Sequence, residues 1–254
     1  MAGDLLPHPL VRIEHLGLTG ADFVPRFLVP GFSRLRKTME TDYPDVFLIP
    51  GNDDIVAEEE GFLCTESIGI WNCLHARRTE VAGRPLYGYA CIPPSPYPYK
   101  DWERYDVSRY VDPGCVSPEE GSMTVPATDR ERRYRTIAGE LGDLTGDQPL
   151  TDAIFLFHVP PYDTKLDTAD LSGRFFDGVP LDTHIGSIAV QRLIERRQPY
   201  LTLHGHVHEA YRLTGVFKQR IGRTWALSAA NEGPQLALVS FDLEDPGEAT
   251  RREL

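Results

Sequence analysis

Three short apolar runs, each stopping abruptly at a polar cluster, constrain the fold of this chain more than any other feature. Val46-Phe47-Leu48-Ile49 leads into Pro50-Gly51-Asn52-Asp53-Asp54. Ala153-Ile154-Phe155-Leu156-Phe157 leads into His158, and Tyr200-Leu201-Thr202-Leu203 into His204-Gly205-His206-Val207-His208. Continuous runs of this length, rich in β-branched and aromatic side chains, read as strands covered on both faces. Helical patterns lie between them. Thr128-Asp129-Arg130-Glu131 has the form of a capping box, and Tyr134, Ile137, Ala138 and Leu141 then fall at i, i+3, i+4 and i+7 as one apolar stripe. A helix is expected over 185–197, with Ile188, Ala189, Leu193 and Ile194 inward and a stop before Pro199. Another is expected over 33–40, with Leu35 and Met39 inward. Strands alternating with helices predict an α/β layer architecture, and 224–228 and 236–242 are expected to close a sheet.

Composition narrows the classes of function. The 254 residues carry 26 Lys and Arg against 38 Asp and Glu, a net charge of −12. That balance argues against tracking a long nucleic acid, which needs a basic footprint. It leaves room for a small phosphate ligand, because bound metal ions would dominate the local field. No stretch approaches the roughly 18 apolar residues of a membrane span, and MAGDLLPHPL has neither the basic end nor the apolar run of a secretory signal. The four cysteines form no C-x-x-C pair, so the expectation is a reduced, cytoplasmic protein. The length suits one domain over 1–254. Residues 92–126 are the least regular and open with Pro93-Pro94-Ser95-Pro96-Tyr97-Pro98-Tyr99. They read either as a lid or substrate-facing insertion or as a surface excursion without a role.

The histidines carry the functional argument. Three of the eight sit in five residues, directly after an apolar run. Imidazole is the commonest metal ligand, and alternation along an extended segment would bring His206 and His208 together. Three alternating histidines at a strand end point to a metal or catalytic role rather than to packing. Taken alone, Gly51-Asn52 reads as a turn and His158 as a capped core residue. Both nonetheless lie at strand ends, and in open α/β sheets those ends converge on one ligand-binding crevice.

On these residues the chain resembles the calcineurin-like metallophosphoesterases, whose signature runs D-x-H, G-D, G-N-H-[D/E], a single H, and G-H-x-H. Gly3-Asp4, Gly51-Asn52-Asp53-Asp54, His158 and Gly205-His206-Val207-His208 match the last four elements in order, across nearly the whole chain. The resemblance implies a four-layer α/β/β/α sandwich and metal-dependent hydrolysis of phosphomonoesters or phosphodiesters, nucleotides included. It implies that Asp4 bridges two divalent ions, that Asn52, His158 and His206 complete one site, and that His208 belongs to the other. Two such ions polarise the phosphoryl oxygens and generate a hydroxide that attacks phosphorus in line. Carboxylate, amide and imidazole ligands suit Mn, Fe, Co, Ni or Zn.

Two departures accompany the resemblance. No D-x-H element is present, and with it go two ligands of the second metal site and a first strand–helix–strand stretch. The expectation is a start at an internal methionine, or a clipped or degenerate member holding one ion. The alternative function is then an impaired single-metal or nucleotide-binding protein. Asp53 stands where the family has the histidine understood to act as acid for the leaving group. An Asp of ordinary pKa is ionised at neutral pH and donates no proton unless burial raises it. Asp53 could instead orient His206 or His208 from behind. Two further residues, Asp163 after Tyr162 and His184 before Gly186-Ser187, are candidates for substrate contact, the latter because amides at a helix start can hold a phosphate. Their plainer readings are a solvated loop carboxylate and a cap or surface residue. Asn231-Glu232-Gly233 reads as a turn.

Overall fold

The computed structural model describes residues 1–7 and 20–254. The chain is a mixed α/β structure. Helices α1 (Gly20–Phe23) and α2 (Val29–Met39) precede β1 (Phe47–Leu48), and α3 (Glu59–Cys64) leads to β2 (Asn72–Cys73), β3 (Arg77–Val81) and β4 (Arg84–Tyr89). Then come α4 (Asp129–Tyr134), α5 (Ile137–Thr145), β5 (Ile154–Phe157), β6 (Phe175–Phe176) and β7 (Val179–Pro180). Next are α6 (Ile188–Arg197), β8 (Leu201–His204) and α7 (Ala210–Thr214). The chain ends in β9 (Lys218–Ile221), β10 (Thr224–Ser228), β11 (Ala237–Asp242) and β12 (Asp245–Glu253).

The main sheet has six strands in the order β3-β4-β5-β8-β10-β9. Its four inner strands run parallel, and the outer β3 and β9 are antiparallel to their neighbours. β5 is buried at all four positions, as a strand with both faces covered requires. Tyr87, Phe155, Phe157 and His204 stack in succession across it, with ring centroids 4.9–5.7 Å apart. β1 pairs parallel with β2, and Ala2 bridges Ile49 on the other side of β1. Beneath this small sheet lies a second apolar cluster of Leu6, Val24, Leu48, Phe62, Ile70, Trp71 and Cys73. Cys73, Cys91 and Cys115 are free thiols. Among the described residues no helix is long and apolar enough to cross a membrane.

Several expectations need correction. The stripe from Tyr134 to Leu141 is not one helix: Thr136 is an N-cap that accepts from Gly139 N, so α5 starts afresh and Tyr134 is left 65% exposed. Ala138 is likewise exposed, whereas Ile137 and Leu141 are buried. In α2 no residue is buried, and Leu35 and Met39 point to solvent. α6 begins at Ile188, because Ser187 caps it by accepting from Val190 N. β10 joins the main sheet as expected, but among the described residues β11 pairs only with β12, as a two-stranded antiparallel ribbon.

Residues 92–126 contain no regular strand or helix, yet they are built rather than loose. Lys100 is wholly buried and gives its ammonium to Glu103 at 2.6 Å and to the Ser95 carbonyl at 2.8 Å. Asp101 takes Val56 N at 2.8 Å and Thr124 N at 2.7 Å. The segment is thereby fixed to the loop that follows β1.

Candidate metal centre

Asp4, Asn52, His158, His206 and His208 come together where β1, β5 and β8 end. Asn52 follows β1 through Ile49-Pro50-Gly51, His158 follows β5 directly, and His206 follows β8 through Gly205. The Met1-Ala2 segment runs beside β1, with Ile49 N donating to the Met1 carbonyl at 3.2 Å, and so delivers Asp4 to the same edge. The approach is too close for any side chain at two positions. A Cβ on Gly3 would lie 2.3 Å from His158 Nδ1, and one on Gly51 would lie 2.3 Å from Asp4 Oδ1.

Asp54 holds this junction closed. It is 1% exposed, and its carboxylate accepts from Leu5 N at 2.9 Å, Leu6 N at 2.7 Å and Gly51 N at 2.7 Å. Burial and the charge of Asp4 push its pKa up to about 7 against those three N–H groups. Sequence reasoning gave Asp54 no role. Its position right after Asn52-Asp53 was the only hint, because its partners lie up to 49 residues away. Asp4 (φ 51°) and His206 (φ 70°) both occupy the left-handed region. Each such residue costs about 1–3 kcal/mol and persists only where surrounding contacts dictate it, a condition typical of functional sites.

Asn52 Oδ1 lies 2.9 Å from His158 Nε2 and 2.8 Å from His206 Nδ1. Asp4 Oδ2 lies 3.4 Å from both His158 Nε2 and His208 Nε2. The amide of Asn52 is oriented by its Nδ2, which donates to Asp53 Oδ1 at 3.2 Å and so turns the carbonyl oxygen toward the imidazoles. His158 Nδ1 faces the Ala2 carbonyl at 2.6 Å and must carry the ring's proton. Its Nε2 faces the oxygens of Asn52 and Asp4, with a lone pair when the ring is neutral and with a second N–H when it is protonated. On the neutral ring that lone pair can be given to a cation, and a ligand histidine whose other nitrogen donates to a backbone carbonyl is the usual arrangement at metal sites. The donor set therefore fits a divalent ion. Among the described residues no three His, Cys, Asp or Glu side chains form a metal-holding group, so the fit depends on the Asn52 amide oxygen.

Burial works to raise the pKa of Asp4, but His158, His208, the Asp53 N–H and His206 together hold its carboxyl well below the usual range. Burial, then the neighbouring His158, push His206 down to about 3, leaving the neutral ring that ligation requires. His208 is raised by its bond to Asp4 against the pull of burial. Asp53 donates its backbone N–H to Asp4 Oδ1 at 3.0 Å, so both its amide and its carboxylate serve the neighbours.

The histidine cluster divides in a way alternation does not predict. His204 is the last residue of β8 and 1% exposed; its ring faces the Val159 carbonyl at 2.9 Å and Thr202 Oγ1 at 2.8 Å. It is a core residue that ties β8 to the segment after β5. The strand stops there, and a tight turn with Val207 N donating to the Gly205 carbonyl, rather than an extended segment, aims His206 and His208. Asp163 and His184 pair with each other and with Asp167. His184 Nδ1 lies 2.8 Å from buried Asp167, and its Nε2 lies 3.6 Å from Asp163, whose side chain is largely exposed. The amides at the start of α6 hold no open anion site, because Asp106 takes Ile188 N at 2.6 Å, Ala189 N at 3.1 Å and Ser187 Oγ at 2.7 Å. Asn231 lies in the connection between β10 and β11, where it donates to the Gln235 carbonyl and accepts from Arg251.

No family model and no curated protein matches the chain. Among solved structures, one chain aligns over 94% of this chain and 79% of its own length, at 13% identity and a TM-score of 0.49. Protein TT1561 of Thermus thermophilus aligns over 92% of this chain and 90% of its own, at 16% identity and a TM-score of 0.46. The sulfate thiohydrolase SoxB of Thermus thermophilus covers 88% of this chain and 36% of its own, at 16% identity and a TM-score of 0.35.

Proposed function

We propose that this chain is a metal-dependent phosphoesterase acting on small phosphoesters or nucleotides. In this reading the fold is the four-layer α/β/β/α plan, with the six-stranded sheet as one central layer and the β1–β2 pair as part of the other. The observation that carries the reading is the meeting of Asp4 Oδ2 and Asn52 Oδ1 with the imidazoles of His158 and His206, the outward nitrogen of His158 being turned to both oxygens. Asp4, Asn52, His158 and His206 would hold one divalent ion, Mn, Fe, Zn, Co or Ni by ligand type. Half-exposed His208 would face a second ion or the substrate.

An ion bound there supplies Lewis-acid polarisation of a phosphoryl oxygen and favours in-line attack by water. The chain's own residues have distinct duties. Asp54 and the glycines hold Asp4 against Asn52. Asp53 fixes the Asn52 amide rather than serving as the acid. The rate should then depend steeply on how readily the leaving group departs unprotonated.

A second reading, a protein that binds one ion without catalysis, is favoured by the fact that, of the candidate ligands, only His208 and the shared Asp4 remain for a second ion. The deciding experiment is turnover of an aryl phosphoester panel by the Mn²⁺-loaded chain and by its Asn52→Ala and His206→Ala variants. Turnover lost in both variants supports the phosphoesterase. Metal uptake without turnover supports the second reading, and turnover unaffected by both substitutions removes the site assignment.

A further inference from the structure

The two residues that patterning turns inward on α2, Leu35 and Met39, face out instead, and so does Phe27 in the turn between α1 and α2. Phe27 and Leu35 are each more than half exposed. With Gly31 these residues stand at intervals of four, the spacing of a ridge on a helical surface. A Cβ on Gly31 would meet nothing within 4 Å, so the middle of the ridge is open to close approach. The β6–β7 hairpin is bare as well. Every residue over 172–180 is exposed, and Phe175, with 64% of its surface in solvent, stands beside half-exposed Phe176 and Val179. A two-stranded hairpin is marginal in water by itself, and these strands have two residues each. Single apolar side chains are ordinary on a surface, whereas grouped ones mark contact faces.

The two faces carry opposite charge. Over 23–39 the chain has Arg26, Arg34, Arg36 and Lys37 and no carboxylate. Arg26 pairs with Asp22 and Arg36 donates to the Ile68 carbonyl, while the side chains of Arg34 and Lys37 have no partner among the described residues. The hairpin turns through Asp177-Gly178, both with positive φ. Asp182 follows it and accepts from Tyr162 Oη at 2.7 Å, with Asp112 and Asp163 beside the same tyrosine. Arg174 and His184 are the cations set among these carboxylates. We propose that α2 of one copy of this chain docks on the β6–β7 hairpin of a second copy, with the Phe27–Leu35–Met39 ridge against Phe175 and Val179 and with Arg34 and Lys37 turned to Asp177 and Asp182. The net charge of −12 favours this pairing over others. Like charges oppose most mutual approaches of an acidic chain, so its one basic helix is drawn to a carboxylate-rimmed face and not to another α2. The same charge disfavours an anionic membrane as the cover for α2, because the surface potential would push the rest of the molecule away.

The test is sedimentation velocity of the full chain from about 1 to 300 µM at about 0.15 M salt, where repulsion beyond about 8 Å is screened. Reversible, concentration-dependent association is expected. Leu35→Glu and Phe175→Glu each change an exposed position, and each should weaken association by about tenfold or more, because the new charge would be pressed against an apolar partner. The two variants mixed in equal amounts should regain a complex of one copy of each, since each supplies the face that the other lacks, and that complex should grow no further. His206→Ala should associate like the parent, which separates this surface from the metal centre whatever that centre does. A parent that stays monomeric at the highest concentration would overturn the proposal. A mixture that stays monomeric would overturn it too, as would a single variant that associates like the parent, the sign that one face pairs with its own kind. Co-sedimentation of the parent with phosphatidylglycerol vesicles, lost in Leu35→Glu, would overturn it in favour of a lipid surface.

Discussion

Adding one methyl group at residue 51 probes the junction between Asp4, Asn52 and His158 most cleanly. Gly51 has no positive φ to protect, so Gly51→Ala introduces a steric conflict and nothing else. The new Cβ would lie 2.3 Å from Asp4 Oδ1, 2.4 Å from Asp4 N and 2.7 Å from His158 Cε1. Two of these are the backbone and carboxylate of a segment clamped by Asp54, and neither can swing aside as a flexible side-chain end would. Overpacking of this kind costs about 1–3 kcal/mol, and three such contacts place it in the upper part of that range. For a chain of this size each kcal/mol moves the melting temperature by about 2–4 °C, so a drop of about 5–10 °C is expected. Gly142→Ala is the control. Gly142 is exposed inside α5, and a Cβ there meets nothing within 4 Å. It should stabilise by about 0.5–1 kcal/mol, as alanine normally does inside a helix. Calorimetric melts of the two variants should therefore shift in opposite directions, with Mn²⁺ affinity reduced only in Gly51→Ala. A Gly51→Ala protein that melts and binds Mn²⁺ like the parent would refute the close approach on which the centre is built.

Three further outcomes follow from other contacts. Burial, then Arg104, holds His75 at about 3 against an ordinary 6.5, so the neutral ring's contribution is whole above pH 6.5 and falls as pH drops toward 3. The loss is about 1.4 kcal/mol per pH unit, and His75→Phe should flatten that acid limb in urea titrations run at successive pH values. Asp106→Ala removes the carboxylate that caps α6 and should cost about 2–3 kcal/mol, since bonds to a charged acceptor are each worth about 1.5–3; an unchanged denaturation midpoint would contradict this. Asp53→His should flatten the plot of log kcat/KM against leaving-group pKa if protonation limits the parent, because general acid catalysis contributes about 10²–10⁴-fold; parallel plots would show that Asp53 is not the cause.

Sequence alone made the strand ends legible because covered strands are written as continuous apolar runs: β1 and β5 lie inside the runs that announced them, and β8 runs one residue past its own, to His204. It also set Asn52, His158, His206 and His208 just past strand ends, although β1 pairs with β2 in a small sheet apart from that of β5 and β8, so their meeting does not come from the ends of one parallel sheet. What stayed hidden depends on distant partners. Asp54 meets Leu5 and Leu6 across 49 and 48 positions, and Asp106 meets α6 across 82. Neither separation leaves a local pattern. Thr136 misled for a different reason: a threonine at that point is compatible with a continuing helix, and only its bond to Gly139 N shows that a new one begins. His204 misled because composition cannot tell a histidine satisfied by Val159 and Thr202 from one left open to a ligand. The β3–β4 hairpin turns at the two-residue Ala82-Gly83, both with positive φ, but the flanking strands carry no clean alternation that would mark it in the sequence.

The central claim is that Asp4, Asn52, His158 and His206 form one ion site. Elemental analysis of the chain after equilibration with Mn²⁺ and exhaustive dialysis tests it most directly, run beside Asn52→Ala and His206→Ala. One ion per chain is expected in the parent and none in either variant, each of them keeping a cooperative melt. Metal retained in full by both variants, or no metal held by the parent, would contradict the assignment.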